Sequence, residues 1–190
     1  MEQRETEQRN GTNGIEMERI LTRHGYHSPV PVGEGSFSRV YRVTDGSGGF
    51  RACRVSDVTE QWLRECENWQ EIRHPLFPGY VEHWVEGGKG YLIMEFWDGM
   101  DLRKMLERRG RLTPGHAAWI ADQIAEGIQY LHERQHPFLY RDLKPENIRI
   151  RVNGRVGILD LGCLWNREEK WSGAGNYSYS APEQFRQGEI

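Results

Sequence analysis

The sequence predicts an α+β chain in two parts, strands first and helices after, and three observations carry that expectation. Before residue 97, short runs alternate apolar and polar residues between glycine-rich breaks, the two-residue period of half-buried strands. After it, residues 114–133 repeat apolar side chains at three and four positions, the period of an amphipathic helix. Between them Trp97-Asp98-Gly99 fits neither pattern and reads as a hinge. No internal repeat is visible.

Taken in order, residues 15–27 form a short amphipathic lead-in. Residues 30–43 alternate around Gly33 and Gly35, a strand, a glycine turn and a returning strand. Asp45-Gly46-Ser47-Gly48-Gly49 is a turn, and residues 50–55 are a third strand. Residues 59–72 read as a helix with Trp62, Cys66 and Trp69 on one face, ended by His74-Pro75. Two further strands, 80–85 and 91–96, flank Gly87-Gly88-Lys89-Gly90. A short helix over 101–108 precedes the long one, which Thr113 caps and whose apolar positions Ala117, Ile120, Ala121, Ile124, Ile128 and Leu131 follow the three-and-four spacing. Residues 148–151 and 155–159 form a small hairpin around Asn153-Gly154.

Composition narrows the function. At 190 residues the chain fits one domain, or one and a half, with bulk enough for a core. A net charge of −3 gives no global basic character, so nucleic acid is not an expected partner. No apolar run is long enough to span a membrane. Residues 1–14 are polar, without the apolar core of a secretory signal, and read as a disordered leader. Three cysteines, Cys53, Cys66 and Cys163, are odd in number and lack metal-ligand spacing, which suits a reducing, cytoplasmic setting. Cys163 reads either as a small packed side chain or as a reactive thiol.

The chemistry concentrates in Tyr140-Arg141-Asp142-Leu143-Lys144-Pro145-Glu146-Asn147, followed 18 residues after Asp142 by Asp160-Leu161-Gly162. Two acids, a lysine and an amide at fixed offsets beside apolar runs are what phosphoryl transfer from a nucleotide requires. One carboxylate takes the hydroxyl proton, a cation meets the phosphate, and two oxygens ligate Mg²⁺. Asp142 and Asp160 lie beside apolar strands, where an unpaired charge is costly, so an accidental placement is a poor explanation. Gly33-Glu34-Gly35-Ser36 sits between two strands, where glycines let backbone amides approach phosphates. That turn is a weak signal alone and gains weight from Ala52-Cys53-Arg54-Val55 on the next strand.

Together these motifs resemble the protein kinase family, Ser/Thr type and nearest in flavour to bacterial members. The resemblance spans residues 25–184 and includes His74-Pro75 and Ala181-Pro182-Glu183. It implies a bilobal fold: an N-lobe over 15–97, an antiparallel sheet with one helix, and a mainly helical, partial C-lobe over 98–190. It implies ATP and Mg²⁺ as cofactors and a protein substrate offering a Ser or Thr hydroxyl. Gly33, Gly35 and Ser36 would cover the phosphates, Val40 and Ala52 would roof the adenine, and the backbone of Glu95 and Trp97 would bond its edge. Met94 takes the gatekeeper position. Asp101 would reach the ribose, although it also fits as the cap of the following helix. Arg54 and Glu65 match the third-strand cation and the helix glutamate that pairs with it, while Glu65 taken alone reads more readily as an ordinary solvated carboxylate. Asp142 is the implied base, Lys144 steadies the transferred group, and Asn147 and Asp160 hold Mg²⁺. Arg141 implies control by a phosphorylated activation segment containing Ser172, Tyr177, Ser178 and Tyr179.

Departures from the family pattern leave a second reading open, a pseudokinase or kinase-like interaction module with weak or no transfer. Arg54 replaces lysine with a longer, forked cation. Arg149 stands where the family places an apolar side chain beneath adenine, Asn176 stands for a threonine, Tyr140 for histidine and Leu161 for phenylalanine. The family runs on through further helices after Ala181-Pro182-Glu183, so the expectation at Ile190 is a fragment or a partner that covers the missing surface. The apolar face of the long helix would then be partly bare.

Overall fold

The computed structural model describes residues 14–35, 38–166 and 173–185. They form two compact units: the chain up to Thr59 with Val81–Phe96, and Glu60–Tyr80 with the chain from Trp97 onward.

The first unit is a five-stranded sheet in the order β1-β2-β3-β5-β4, built from β1 (His27–Glu34), β2 (Ser38–Thr44), β3 (Phe50–Asp57), β4 (Tyr80–Glu86) and β5 (Lys89–Glu95). β2 and β3 pair antiparallel without a slip from Ser38↔Ser56 to Thr44↔Phe50, and β3 and β5 from Arg51↔Glu95 to Asp57↔Lys89. Directly opposed residues share a face. Tyr41, Cys53 and Ile93 therefore lie on one side of the sheet, and Val40, Arg54 and Leu92 on the other. Helix α1 over residues 14–23 covers the first side. Its Ile20 and Leu21 join Tyr26, Val43, Cys53, Tyr91 and Ile93 in a core. Burying each large side chain there contributes roughly 1.5–3 kcal/mol. An aromatic stack fastens the end of the helix: His24 lies 4.0 Å from Trp84, and Trp84 lies 5.2 Å from Tyr91. The predicted turn at 45–49 is closed by Asp45 Oδ1, which accepts the N–H groups of Ser47 and Gly49 at 2.9 Å each.

Helix α2 (Glu60–Glu71) belongs to the second unit and buries Trp62, Glu65, Cys66 and Trp69, a three-and-four spacing that makes one face. Helix α3 (Leu102–Arg109) starts at Asp101, whose side chain accepts from Lys104 N–H at 2.8 Å. Helix α4 (Pro114–His132) starts as expected from Thr113, which accepts from His116 N–H at 3.3 Å, with proline in the first turn where no partner is lost. It approaches the rest of the unit at Gly127, where a Cβ would stand 2.7 Å from Ile158 Cδ1. Ile120 and Leu131 are buried, whereas Ala117 and Ala121 are exposed, so the expected apolar face is only partly covered. Ile128, His132, Leu139, Leu143 and Tyr179 line a groove of about 490 Å³ beside it.

β6 (Gly99–Asp101), β8 (Ile148–Arg151) and β9 (Val156–Ile158) form a three-stranded sheet, and β7 (Phe138–Leu139) pairs with β10 (Trp165–Asn166). The hairpin at Asn153-Gly154 is as expected, with Gly154 at φ +83°. β6, β7 and β10 were not expected; two or three residues are too few to show a period. Among the described residues no helix is long and apolar enough to cross a membrane.

Candidate active site

The segment between β7 and β8 is held by side-chain bonds together with short backbone turns, Asp142 N–H donating to Tyr140 O and Asn147 N–H to Lys144 O, each at 2.9 Å. Asp142 and Asn147 are buried, 8% and 7% exposed. Asn147 Nδ2 donates to the Asp142 carbonyl and to Asp142 Oδ2, both at 2.9 Å, and Lys144 Nζ donates to the same Oδ2 at 2.7 Å. Leu159 N–H donates to Asn147 O at 2.8 Å, which sets the chain leading into Asp160 beside the loop. The buried hydroxyl of Tyr140 donates to the Leu159 carbonyl, a second tie between the same two segments. Gly162 N–H donates to Asp160 Oδ1 at 3.0 Å and closes a tight turn on the carboxylate.

Arg141 and Asp160 both have φ +63°, a left-handed backbone that costs a non-glycine residue of order 1 kcal/mol or more and persists only where the surroundings impose it. Those surroundings are visible. Arg141 Nε donates to Cys163 O at 2.8 Å, and Gln184 Nε2 donates to Arg141 O at 2.7 Å. Gly175 passes so close that a Cβ there would stand 2.5 Å from Arg141 O.

Charge is shared across the same cluster. Burial works against the Lys144 ammonium, but the hydrogen bond and charge of Asp142, joined by Asp160, outweigh it and hold its pKa above the ordinary lysine value. The Tyr140 phenol is driven well above its usual value by burial first and then by the charges of Asp160 and Asp142. Lys144 and Tyr140 thus both lie within the field of Asp142 and Asp160. Four of the expected residues are thus gathered in one place.

Gly33, Gly35, Val40, Ala52, Arg54 and Glu95 lie in the first unit. Gly35 N–H donates to Ser38 O at 2.9 Å across the glycine turn, and Arg54 Nε donates to Ser38 Oγ at 3.2 Å. Ser36 falls outside the described residues, as do residues 1–13 and Ser172. Glu65, Trp97 and Asp101 lie in the second unit. Glu65 is 4% exposed and accepts from Trp69 Nε1 at 3.4 Å. Asp101, besides capping α3, pairs with Lys104 at 3.2 Å. Asn176 accepts the N–H of Ser178 on its side chain and those of Tyr179 and Ser180 on its carbonyl, all at 2.9 Å.

Sequence reading missed three contacts. Gln61 Nε2 donates to Gly162 O at 3.0 Å across 101 residues of sequence, a separation no local pattern can reveal. Gln184 had no motif of its own. Arg103 links Glu146 at 2.9 Å to the Tyr179 hydroxyl at 3.0 Å, and only Glu146 stood in a recognised string.

The donor set fits a hard divalent cation. With Nδ2 donating to Asp142, Asn147 keeps its amide oxygen as an acceptor, and Asp160 brings a carboxylate. An amide and one carboxylate suit Mg²⁺, which takes few protein oxygens and completes its shell with phosphate and water.

A buried acid, lysine and amide thus lie on one loop, tied to a second acid in a tight turn. The family profile described as protein kinase domain matches residues 26–190, and the chain belongs to that family. An Aurora kinase of Eremothecium gossypii is 30% identical over 82% of this chain and 45% of its own. The mouse cAMP-dependent protein kinase catalytic subunit PRKX is 32% identical over 80% of this chain and 45% of its own. Cell division control protein 2 homolog 3 of Trypanosoma brucei brucei is 36% identical over 69% and 44% respectively. The chain therefore spans about half the length of the curated relatives it matches.

Proposed function

We propose that this chain supplies the ATP–Mg²⁺-binding and catalytic residues of a cytoplasmic Ser/Thr protein kinase, which moves the γ-phosphoryl group of ATP to a protein Ser or Thr hydroxyl. The observation that supports it best is the bonded cluster of Asp142, Lys144 and Asn147, joined through Leu159 to Asp160. Asp142 holds the acceptor hydroxyl and takes its proton as the oxygen–phosphorus bond forms and ADP leaves. Lys144, kept charged by its neighbours, lies against the transferred oxygens. Asn147 and Asp160 hold Mg²⁺, which neutralises phosphate charge when bound. In the first unit Arg54 meets the phosphates, Val40 and Ala52 face the adenine from the side of the sheet they share with Arg54, and Glu95 takes its edge through the backbone. In the second, Glu65 serves as the helix carboxylate, Trp97 takes the adenine through its backbone and Asp101 reaches the ribose. Catalysis of this kind is positioning and electrostatic stabilisation.

One observation favours weak transfer instead. Arg54 replaces a point charge with a planar fork and directs Nε to Ser38 Oγ at 3.2 Å, so the site is set for a different cation geometry. The two readings separate in a thermal-shift titration with Mg²⁺-ATP on the chain and on Arg54→Lys, beside radiolabel autophosphorylation. Labelling that Asp142→Asn lowers by about 10²–10⁴ supports a working kinase. A shift with labelling only in Arg54→Lys supports the interaction module. No shift in either variant removes nucleotide from the account.

A further inference from the structure

Trp97 ends the run that follows β5, and its side chain is closely hemmed in. The indole is 4% exposed, and its Nε1 hydrogen is buried without a partner among the described residues. A buried tryptophan ordinarily gives that hydrogen to an acceptor, so shape rather than hydrogen bonding holds this ring. The shape comes from the sheet of β6, β8 and β9. Gly157 opposes Arg149 in the β8–β9 register, so Gly157, Arg149 and Arg151 share one face, while Val156 and Ile158 turn into the core. A Cβ on Gly157 would stand 2.1 Å from Trp97 Cζ3 and 2.5 Å from Cε3, against the body of a rigid ring. Gly157 has no positive φ to explain its glycine, so the requirement is space alone. From above, the Arg151 guanidinium lies 4.4 Å from the indole centroid. Two residues on, Gly99 at φ +131° turns the chain into β6, where a Cβ would meet Ile150 O at 2.1 Å. The indole wedge and this turn leave the Trp97 backbone little freedom.

We propose that Gly157 and Arg151 are positioning residues for nucleotide binding: they seat the Trp97 indole and thereby fix the backbone that takes the adenine. This rests on the nucleotide-binding reading above and goes beyond it by assigning base affinity to two residues outside the kinase motifs. On this assignment base and phosphates are held by separable parts of the chain, the base through the Trp97 backbone and the phosphates through Asn147 and Asp160.

The test is calorimetric titration of the full chain, Gly157→Ala, Arg151→Ala, Trp97→Ala and the Trp97→Ala/Gly157→Ala double variant with adenosine and, separately, with Mg²⁺-tripolyphosphate. Gly157→Ala should weaken adenosine about tenfold and Arg151→Ala about threefold, with tripolyphosphate changed less than about twofold in both. In the Trp97→Ala background Gly157→Ala should add less than about a twofold change, because nothing remains to displace. Arg151→Ala leaves the backbone and core intact and carries the test if Gly157→Ala fails to fold. Adenosine affinity unchanged in Arg151→Ala and Gly157→Ala, or adenosine and tripolyphosphate weakened equally, overturns the assignment while the nucleotide reading stands. No binding of either ligand to the parent chain overturns both.

Discussion

In the first unit β2 and β3 pair over seven consecutive residues, whereas no described strand of the second unit exceeds four. The first unit keeps its order in backbone ladders and in one apolar face under α1. Many side chains of the right size and polarity could do that work. The second unit keeps its order in bonds from named side chains: Asn147 to Asp142, Tyr140 to Leu159, Gln184 to Arg141. Those bonds require particular atoms at particular offsets, so the region proposed to carry the chemistry tolerates fewer substitutions at those residues.

The comparison is sharpened first by deleting apolar bulk in both units, where no difference is expected. Trp69→Ala removes a side chain 1% exposed in α2, and Ile93→Ala one fully buried in β5. Costs of about 3–5 and 2–5 kcal/mol follow from lost burial and the cavity left behind. Urea unfolding measures both. A core deletion that costs several-fold more in one unit would show that their packing is not equivalent, and the contrast drawn above would be about packing after all.

Polar deletion should separate them. Asn147→Ala strands the buried Asp142 carbonyl and removes a donor from its carboxylate, at about 1–3 kcal/mol. In the first unit Arg39→Ala removes an exposed partner of Glu34 at 3.1 Å and should cost under about 1 kcal/mol. Equal losses would mean that the loop's bonds are incidental to stability. A smaller effect belongs to Thr113→Ala, which leaves one first-turn N–H of α4 without its acceptor. About 1 kcal/mol is expected, read as faster hydrogen exchange confined to the start of α4.

The same contrast explains what the sequence made legible. Short apolar runs between glycine and turn residues exposed β2, β3, β4 and β5 to within a residue or two at each end, although β5 is buried on both faces from Gly90 to Met94. The α4 boundaries followed from Thr113-Pro114, a cap and a pre-set first turn. The loop over residues 140–147 was legible for a different reason: the proposed chemistry demands Asp142, Lys144 and Asn147 at fixed offsets, so it reads as composition without any period. What stayed hidden has neither signature. The pairing of β7 with β10 joins two-residue strands, and the Gln61 contact with Gly162 is a bond between distant segments. Gly157 carries no turn signal, and only the Trp97 ring against it accounts for a glycine there. The apolar face of α4 was legible in position, whereas its partial exposure depends on what lies beside it, which periodicity does not encode.

The smallest effect probes the electrostatics of the second unit through Cys163. Its thiol is pushed up to about 11, by burial first and then by the charges of Asp142 and Asp160, while Arg141 and Lys144 pull the other way. A thiol of that pKa is about 0.1% thiolate at pH 8, so alkylation should run on the order of 100-fold slower than for a free cysteine. The rate should rise about tenfold per pH unit. The raised pKa also fixes the working window. Its contribution to stability is fully present below the ordinary thiol value and is lost as pH climbs through about 11, so labelling belongs between pH 7 and 9. Asp142→Asn removes one of the charges that disfavour the thiolate. Peptide-resolved mass spectrometry should then show Cys163 alkylating severalfold faster at pH 8, with Cys53, whose thiol burial alone holds near 12, unchanged as the control in the other unit. An unaltered Cys163 rate in that variant would mean that the field of Asp142 does not reach Cys163. The second unit would then be no more coupled, residue to residue, than the sheet it is being compared with.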